Sequence, residues 1–396
     1  MTVEDYNIQD KCCGCFSCAN VCPVHAIEMV QNKEGFYYPV IKQELCLKCG
    51  KCSKVCSAIL KPEKSSNFIK TYSFQGEDSI RNKSSSGGFF YHLATYAMER
   101  GGAVYGARFN PQSKEVEHVS TDDVSLDELL RSKYSQSKIG NAFLDVQREL
   151  NSGRFVLFSG TPCQIYGLKA FLKKDYDNLI TMDFVCHGVP SPGYFKDWIL
   201  SLEEKRRSKI IDVTFREKDN GWRDQVIKIY YADGIQEIMK SSSYYYYRYF
   251  LQNITLRKSC FSCNFPEHHY SDITVKDYWE INGDDNRGIS AIVINTNKGQ
   301  QVADLATGKD LKQISFSNIS NSFVRHGNVN SYKRYKKIRN YYMSKYEKYG
   351  FVKTVKKYNW ITDFMLQIIG NVRLCGGKIK GVIKRIINTG VNKTDE

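Results

Sequence analysis

Eight cysteines stand in two identical runs near the start of the chain. Cys12, Cys15, Cys18 and Cys22 are spaced two, two and three residues apart, and Cys46, Cys49, Cys52 and Cys56 repeat that spacing 34 residues later. No apolar leader precedes them, because Met1 to Asp10 is polar and acidic. Thiols in tight runs without a secretory context read as metal ligands rather than disulfides.

This spacing resembles that of bacterial two-cluster ferredoxins. A cubane cluster takes three thiolates from one tightly curled loop and a fourth from elsewhere, and a twofold repeat supplies that fourth from its other half. Cys12, Cys15, Cys18 and Cys56 are therefore expected to hold one 4Fe-4S cluster, and Cys46, Cys49, Cys52 and Cys22 the other. Zinc is the competing metal, since it also takes Cys-x-x-Cys pairs. Two complete runs in one repeat favour iron–sulfur. Pro23 follows the first run, whereas Ser57 stands at the matching place in the second, where the loop loses proline's stiffness. Cys13 fits neither frame and reads as a spare thiol near the first cluster. Between the runs, residues 26–30 and 36–40 read as a short helix and a strand.

The rest of the 396 residues has an ordinary soluble composition, 42% hydrophobic and 25% charged, with room for two or three domains. Mean hydropathy is −0.45 and no apolar stretch suits a membrane-spanning helix. Residues 61–75 read as a linker. From there strand and helix patterns alternate through residue 185, which implies an α/β domain with a largely parallel sheet. Alternating segments around Asp233-Gly234 add a hairpin, so the sheet is expected to be mixed. The tyrosines Tyr244 to Tyr247 read as a buried or half-buried helix. The expected architecture is thus a dicluster ferredoxin-type α+β domain (1–60), a mixed α/β domain (76–325) and a basic helical extension (326–396).

Four more cysteines sit in compact motifs. Cys163 and Cys186 each follow a predicted strand or its turn, where α/β sheets present ligands, and Cys260 and Cys263 form a further Cys-x-x-Cys. Together they are expected to hold a third 4Fe-4S cluster, with structural zinc as the alternative.

These segments resemble, in order, the beta subunit family of coenzyme F420 hydrogenase/dehydrogenase, in a form fused to an N-terminal ferredoxin module. They are Ser84 to Gly88, SKYSQSKIG at 132–140, FSGTPCQIYGL at 158–168, DFVCHGV at 183–189, FREKDNGW at 215–222, LRKSCFSCNF at 256–265 and DITVKDYW at 272–279. The resemblance covers residues 1 to about 325. It implies an iron–sulfur flavoprotein that takes electrons from a reduced donor to FAD or FMN and passes hydride to a small soluble acceptor. Ser85, Ser86, Gly87 and Gly88 then read as a flavin phosphate site at a helix N-terminus. Gly160 and Thr161 let backbone approach the cofactor. Lys133, with Gln136 and Ser137, would clamp phosphate or an acidic coenzyme tail, as would Lys138. His187 would deliver a proton during flavin reduction, and Arg216 and Trp222 would line the pocket. Where the family shows Gly-Asp-Phe-Trp-Gly, this chain has Lys276-Asp277-Tyr278-Trp279-Glu280, which leaves the acceptor open. No Gly-x-Gly-x-x-Gly fingerprint selects a dinucleotide.

Residues 333–396 carry a net charge of +12, most of the chain's +15. Two readings follow: an amphipathic segment at the inner face of an anionic membrane, or a solvated extension that docks on a partner. No nucleic-acid motif accompanies the charge. The expected protein is cytoplasmic, and the competing function is a non-catalytic subunit wiring a partner enzyme.

Overall fold

The alternating patterns build a mixed sheet whose middle is parallel and whose flanks are antiparallel. The computed structural model describes residues 1–60, 68–224, 226–265, 269–280, 285–308, 310–320 and 329–374. Its strands are β1 (Ile27–Gln31), β2 (Tyr37–Ile41), β3 (Lys70–Phe74), β4 (Ala103–Asn110), β5 (Glu115–Ser120), β6 (Val156–Ser159), β7 (Leu179–Phe184), β8 (Ile210–Glu217), β9 (Val226–Tyr231), β10 (Gln236–Lys240), β11 (Ile273–Asp277), β12 (Ser290–Ile294) and β13 (Lys312–Gln313).

Eight of them form one sheet in the order β13-β3-β12-β11-β7-β6-β4-β5. The pairs β4–β6, β6–β7 and β7–β11 are parallel. Each strand here is a short apolar run buried on both faces, as Val156-Leu157-Phe158 and Leu179-Ile180 illustrate. The Ala142–Asn151 and Pro162–Leu172 helices cover one face and the Phe89–Glu99 and Asn297–Ala306 helices the other. Strand β3, at the end of the stretch read as a linker, pairs with β12 and belongs to this sheet; residues 61–67 lie outside the described residues.

The hairpin at Asp233-Gly234 joins β9 and β10, with Gly234 at φ +82° as such a tight turn requires. These strands and β8 make a separate antiparallel sheet. It shares an aromatic core with the Tyr245–Leu251 helix, where Tyr246, Tyr247 and Tyr249 are buried.

The N-terminal domain corrects one expectation. Residues 27–31, read as helical, are strand β1 and pair antiparallel with β2. Their alternation of buried and exposed positions has the period of a strand rather than a helix. The turn between them docks on the large domain: Gly193 N–H donates to Gly35 O at 3.0 Å, and Ser191 Oγ to Glu34 O at 2.5 Å.

The C-terminal segment is helical over Val329–Leu374, broken at Gly350, whose φ is +74°. Tyr342, Tyr358, Ile361 and Met365 are buried in the aromatic core. Much of the apolar side that read as membrane-facing therefore packs on protein. Residues 375–396 lie outside the described residues.

Candidate redox centre and cofactor cavity

The first cysteine run curls into the protein. Cys12, Cys15 and Cys18 are buried, and Cys12, Cys18 and Cys52 share an apolar cluster with Cys22, Cys46 and Cys56. Burial, and then the neighbouring Cys12, Cys56 and Cys52 thiols, hold Cys18 well above the ordinary thiol range. Burial pushes Cys56 up to about 12. So many thiols cannot ionise side by side in a low-dielectric site without a compensating cation. Backbone N–H groups point at the same sulfurs: Ala26 N lies 3.2 Å from Cys22 Sγ, Gly14 N–H faces Cys12, and those of Ala58 and Ile59 face Cys56. Thiolates closely packed, short of water and addressed by N–H donors are the donor chemistry that iron–sulfur clusters require. No disulfide joins the 13 cysteines of the described residues. Among those residues the thiols are gathered rather than closed on one point, since no three Cys, His, Asp or Glu side chains meet in ion-ligating geometry.

Cys13 is more than a bystander. Its thiol lies 3.5 Å from Ser57 Oγ. The Cys15 and Cys163 thiols beside it hold it well below the usual range, and they are raised well above it in return. Cys163 belongs to the second cysteine set, so the two sets meet here. The Pro162–Leu172 helix makes this possible. It begins with a capping box in which Thr161 N–H donates to Gln164 Oε1 at 3.0 Å, and with Pro162 in its first turn. One turn after Cys163 comes Gly167. A Cβ there would lie 2.5 Å from Ser17 Oγ and 3.1 Å from Cys15 Sγ, so only glycine allows this approach.

Cys186 follows β7 and adds to the electrostatic environment of Cys163. Cys260 lies in the Lys258–Ser262 turn of 3-10 helix, and Cys263 Sγ accepts the Phe265 N–H at 3.3 Å. Arg257 precedes them, fully buried, with Cys12, Cys13 and Cys260 as its charged neighbours.

Cys186 also lines a cavity of about 510 Å³ at the C-terminal ends of β6 and β7. Of the residues singled out in the sequence, Ser85, Ser86, Gly88, Lys133, Ser137, Gly160, Thr161, His187 and Arg216 line it too. Such a crevice at the carboxyl ends of parallel strands is where open α/β sheets bind ligands. The Phe89–Glu99 helix opens onto it behind Gly88 without a side-chain cap, which leaves helix N–H groups available to an anion. The serine hydroxyls are already engaged within the protein: Ser85 Oγ lies 3.0 Å from Ser132 Oγ, and Ser86 Oγ donates to Ile289 O at 2.5 Å.

Gly87 is held by Ser290, its N–H donating to Ser290 Oγ at 3.0 Å. Gln136 points elsewhere. Its Nε2 donates to Cys13 O at 2.7 Å and its Oε1 accepts from Arg257 Nη1 at 3.0 Å, which places it between the two cysteine sets. Lys138 lies over the Tyr37 ring at 5.4 Å. Burial brings the Lys133 ammonium down to about 8, and its Nζ donates to Glu128 O at 2.7 Å. Trp222 stacks on Trp279 at 4.0 Å, and it is Trp279 that faces the cavity. Arg216 lies 5.1 Å over Trp279 and 2.7 Å from the Asp277 carboxylate.

Two residues that sequence reasoning missed hold the domains together. Arg257 contacts the first cysteine loop, and Arg339 forms a buried ion pair with Glu34. Neither stands in a motif that announces a partner more than 200 residues away.

Residues 11–58 match the family model of the 4Fe-4S dicluster domain, and residues 153–321 that of the C terminus of the coenzyme F420 hydrogenase/dehydrogenase beta chain. No curated protein matches. Eleven chains of solved structures do. One of them, from the F420-reducing NiFe hydrogenase complex of Methanosarcina barkeri, is 14% identical over 71% of this chain and 94% of its own, with a TM-score of 0.43.

Proposed function

We propose, for a chain whose residues 153–321 belong to the coenzyme F420 hydrogenase/dehydrogenase beta subunit family and whose residues 11–58 form a 4Fe-4S dicluster domain, that it is an iron–sulfur flavoprotein oxidoreductase serving a small soluble acceptor. Clusters would supply one-electron transfer, and a flavin would convert pairs of electrons into hydride chemistry. The observation that carries this reading is continuity. The buried run Cys12–Cys18 reaches Cys163 through Cys13 and Cys15, and Cys186 beside Cys163 lines the cavity.

On this reading Cys12, Cys15, Cys18 and Cys56 hold one cluster and Cys46, Cys49, Cys52 and Cys22 another. Cys163, Cys186, Cys260 and Cys263 hold a third. The uncapped helix start at Gly88 and the Lys133 ammonium take the cofactor's phosphate. The Gly160-Thr161 turn admits its ring system, and His187 moves a proton. Arg216 and Trp279 receive an anionic acceptor, with Asp277 orienting the guanidinium. We place the protein in the cytoplasm. No helix among the described residues is long and apolar enough to cross a membrane.

The test is anaerobic, iron-replete purification, then metal analysis and titration with FAD and with FMN. Iron for three clusters and saturable uptake of one flavin support the reading. Iron without flavin uptake would recast the chain as a non-catalytic electron-transfer subunit. Zinc in place of the third cluster's iron would make the C-terminal cysteines structural.

A further inference from the structure

The two cysteine loops have identical spacing but opposite surroundings. Across Cys12 to Cys18 every residue is buried except the half-buried Cys13. Across Leu45 to Cys49 none is buried. Leu45 is 48% and Leu47 65% exposed, and Cys49 is exposed as well. Two leucines held in water beside a candidate ligand have no packing role in this chain. Exposed apolar residues at a redox site are instead what a docking partner covers.

The charge around them says which partner. Residues 42–54 hold four lysines and one glutamate. Lys42 is paired with Glu28 at 3.3 Å. Lys48, Lys51 and Lys54 are exposed and ring the leucines. A cationic rim around a small apolar centre steers and orients an acidic protein.

We infer that the Leu45–Lys54 face docks a small acidic one-electron carrier protein, which delivers electrons to the outward Cys46–Cys49–Cys52–Cys22 site. This rests on the iron–sulfur reading above and adds its direction: outer loop first, inner loop second, cavity last. In the step itself the carrier loses one electron and the outer site gains one. No bond or proton changes hands.

The probe is flavodoxin, an acidic one-electron carrier, with the full chain loaded anaerobically. Carbodiimide cross-linking followed by peptide mapping reads contact without reference to activity. It should join flavodoxin carboxylates to Lys48, Lys51 or Lys54. Reduction of the clusters by chemically reduced flavodoxin, followed by stopped-flow absorbance, should slow about tenfold or more in Lys48→Glu/Lys51→Glu and in raised salt. Leu47→Asp should slow it likewise, while reduction by dithionite stays unchanged in every variant. Cross-links confined to other lysines, or flavodoxin rates indifferent to these charges, overturn the docking face while leaving the cluster reading intact. A chain that dithionite cannot bleach removes the cluster reading itself and this inference with it. Self-association through the face, abolished by Leu47→Asp, would assign it to a second copy and refute the carrier.

Discussion

Arg257 grips the loop that carries Cys12. Its Nε donates to Cys12 O at 2.6 Å, its Nη2 to Tyr37 O at 2.7 Å, and the same Nη2 lies 3.5 Å from Cys12 Sγ. One planar guanidinium thus fixes the first cysteine loop, the β2 strand and, through Gln136, the large domain. A cation here favours the more negative, reduced form of anything bound to Cys12. Arg257→Gln is therefore expected to lower the midpoint potential of the inner cluster by on the order of 100 mV, about 59 mV for each tenfold change in a one-electron equilibrium. Arg257→Lys keeps the charge and should shift it by less than half as much. A redox titration followed by paramagnetic resonance checks both, and an unmoved potential in Arg257→Gln counts against the assignment.

The buried Arg339–Glu34 pair ties the C-terminal helix to the β1–β2 turn, and Arg339 Nε donates to Leu256 O at 3.0 Å. Removing one partner leaves the other charge buried and unmatched. Arg339→Met or Glu34→Gln should each cost about 3–5 kcal/mol. The double change Arg339→Met/Glu34→Met should cost less than the sum of the two. Chemical denaturation followed by tryptophan fluorescence gives the comparison. Additive single effects would show that the pair is not coupled.

Gly167 is the point where the Pro162–Leu172 helix meets Cys15 and Ser17. Gly167→Ala pushes a methyl group into that contact. Overpacking of this kind typically costs about 1–3 kcal/mol. The expected result is loosened docking of residues 1–60, read as faster limited proteolysis in the 61–67 stretch and weaker magnetic interaction between reduced clusters. Gly167→Ala/Ser17→Gly, which removes the hydroxyl the methyl would strike, should recover part of the loss.

Lys218 supplies a pH dependence. Its Nζ donates to Ser86 O at 2.9 Å and to Arg287 O at 2.6 Å, which steadies the Ser84–Gly88 loop. Burial, then Arg216, brings its ammonium down to about 7. The unfolded chain keeps that proton up to the ordinary lysine range, so between these values the unfolded state binds more protons. Stability from this group accordingly rises with pH from about 7 upward and is lowest below it. Compared with Lys218→Met, in which other titrations cancel, wild type should gain at most about 1.4 kcal/mol per pH unit between pH 7 and 9. A stability difference that stays flat over that range would contradict the buried-cation account.

The cysteine runs were legible because a cluster loop is local chemistry: three ligands within seven residues announce themselves wherever the chain goes. The parallel strands were legible for a related reason, since burial on both faces writes short apolar runs into the sequence. Residues 27–31 misled because five residues with a mixed pattern admit either period, and only pairing with β2 selects the strand. Gln136 misled differently. It stands in a motif that lines the cavity, but its side chain crosses to Cys13, an interaction 123 residues away in sequence.

The amino-acid sequence by itself determined that sulfurs would be gathered in two repeated loops and a later set, and that an α/β sheet would carry the later set. Only the tertiary structure decided which loop is buried against Gly167, which faces solvent with Leu47, and that Arg257 and Arg339 hold the two halves together. The reason is physical: ligand spacing and strand period are set within a few bonds, whereas burial and ion pairing depend on surfaces that meet only after the chain has folded.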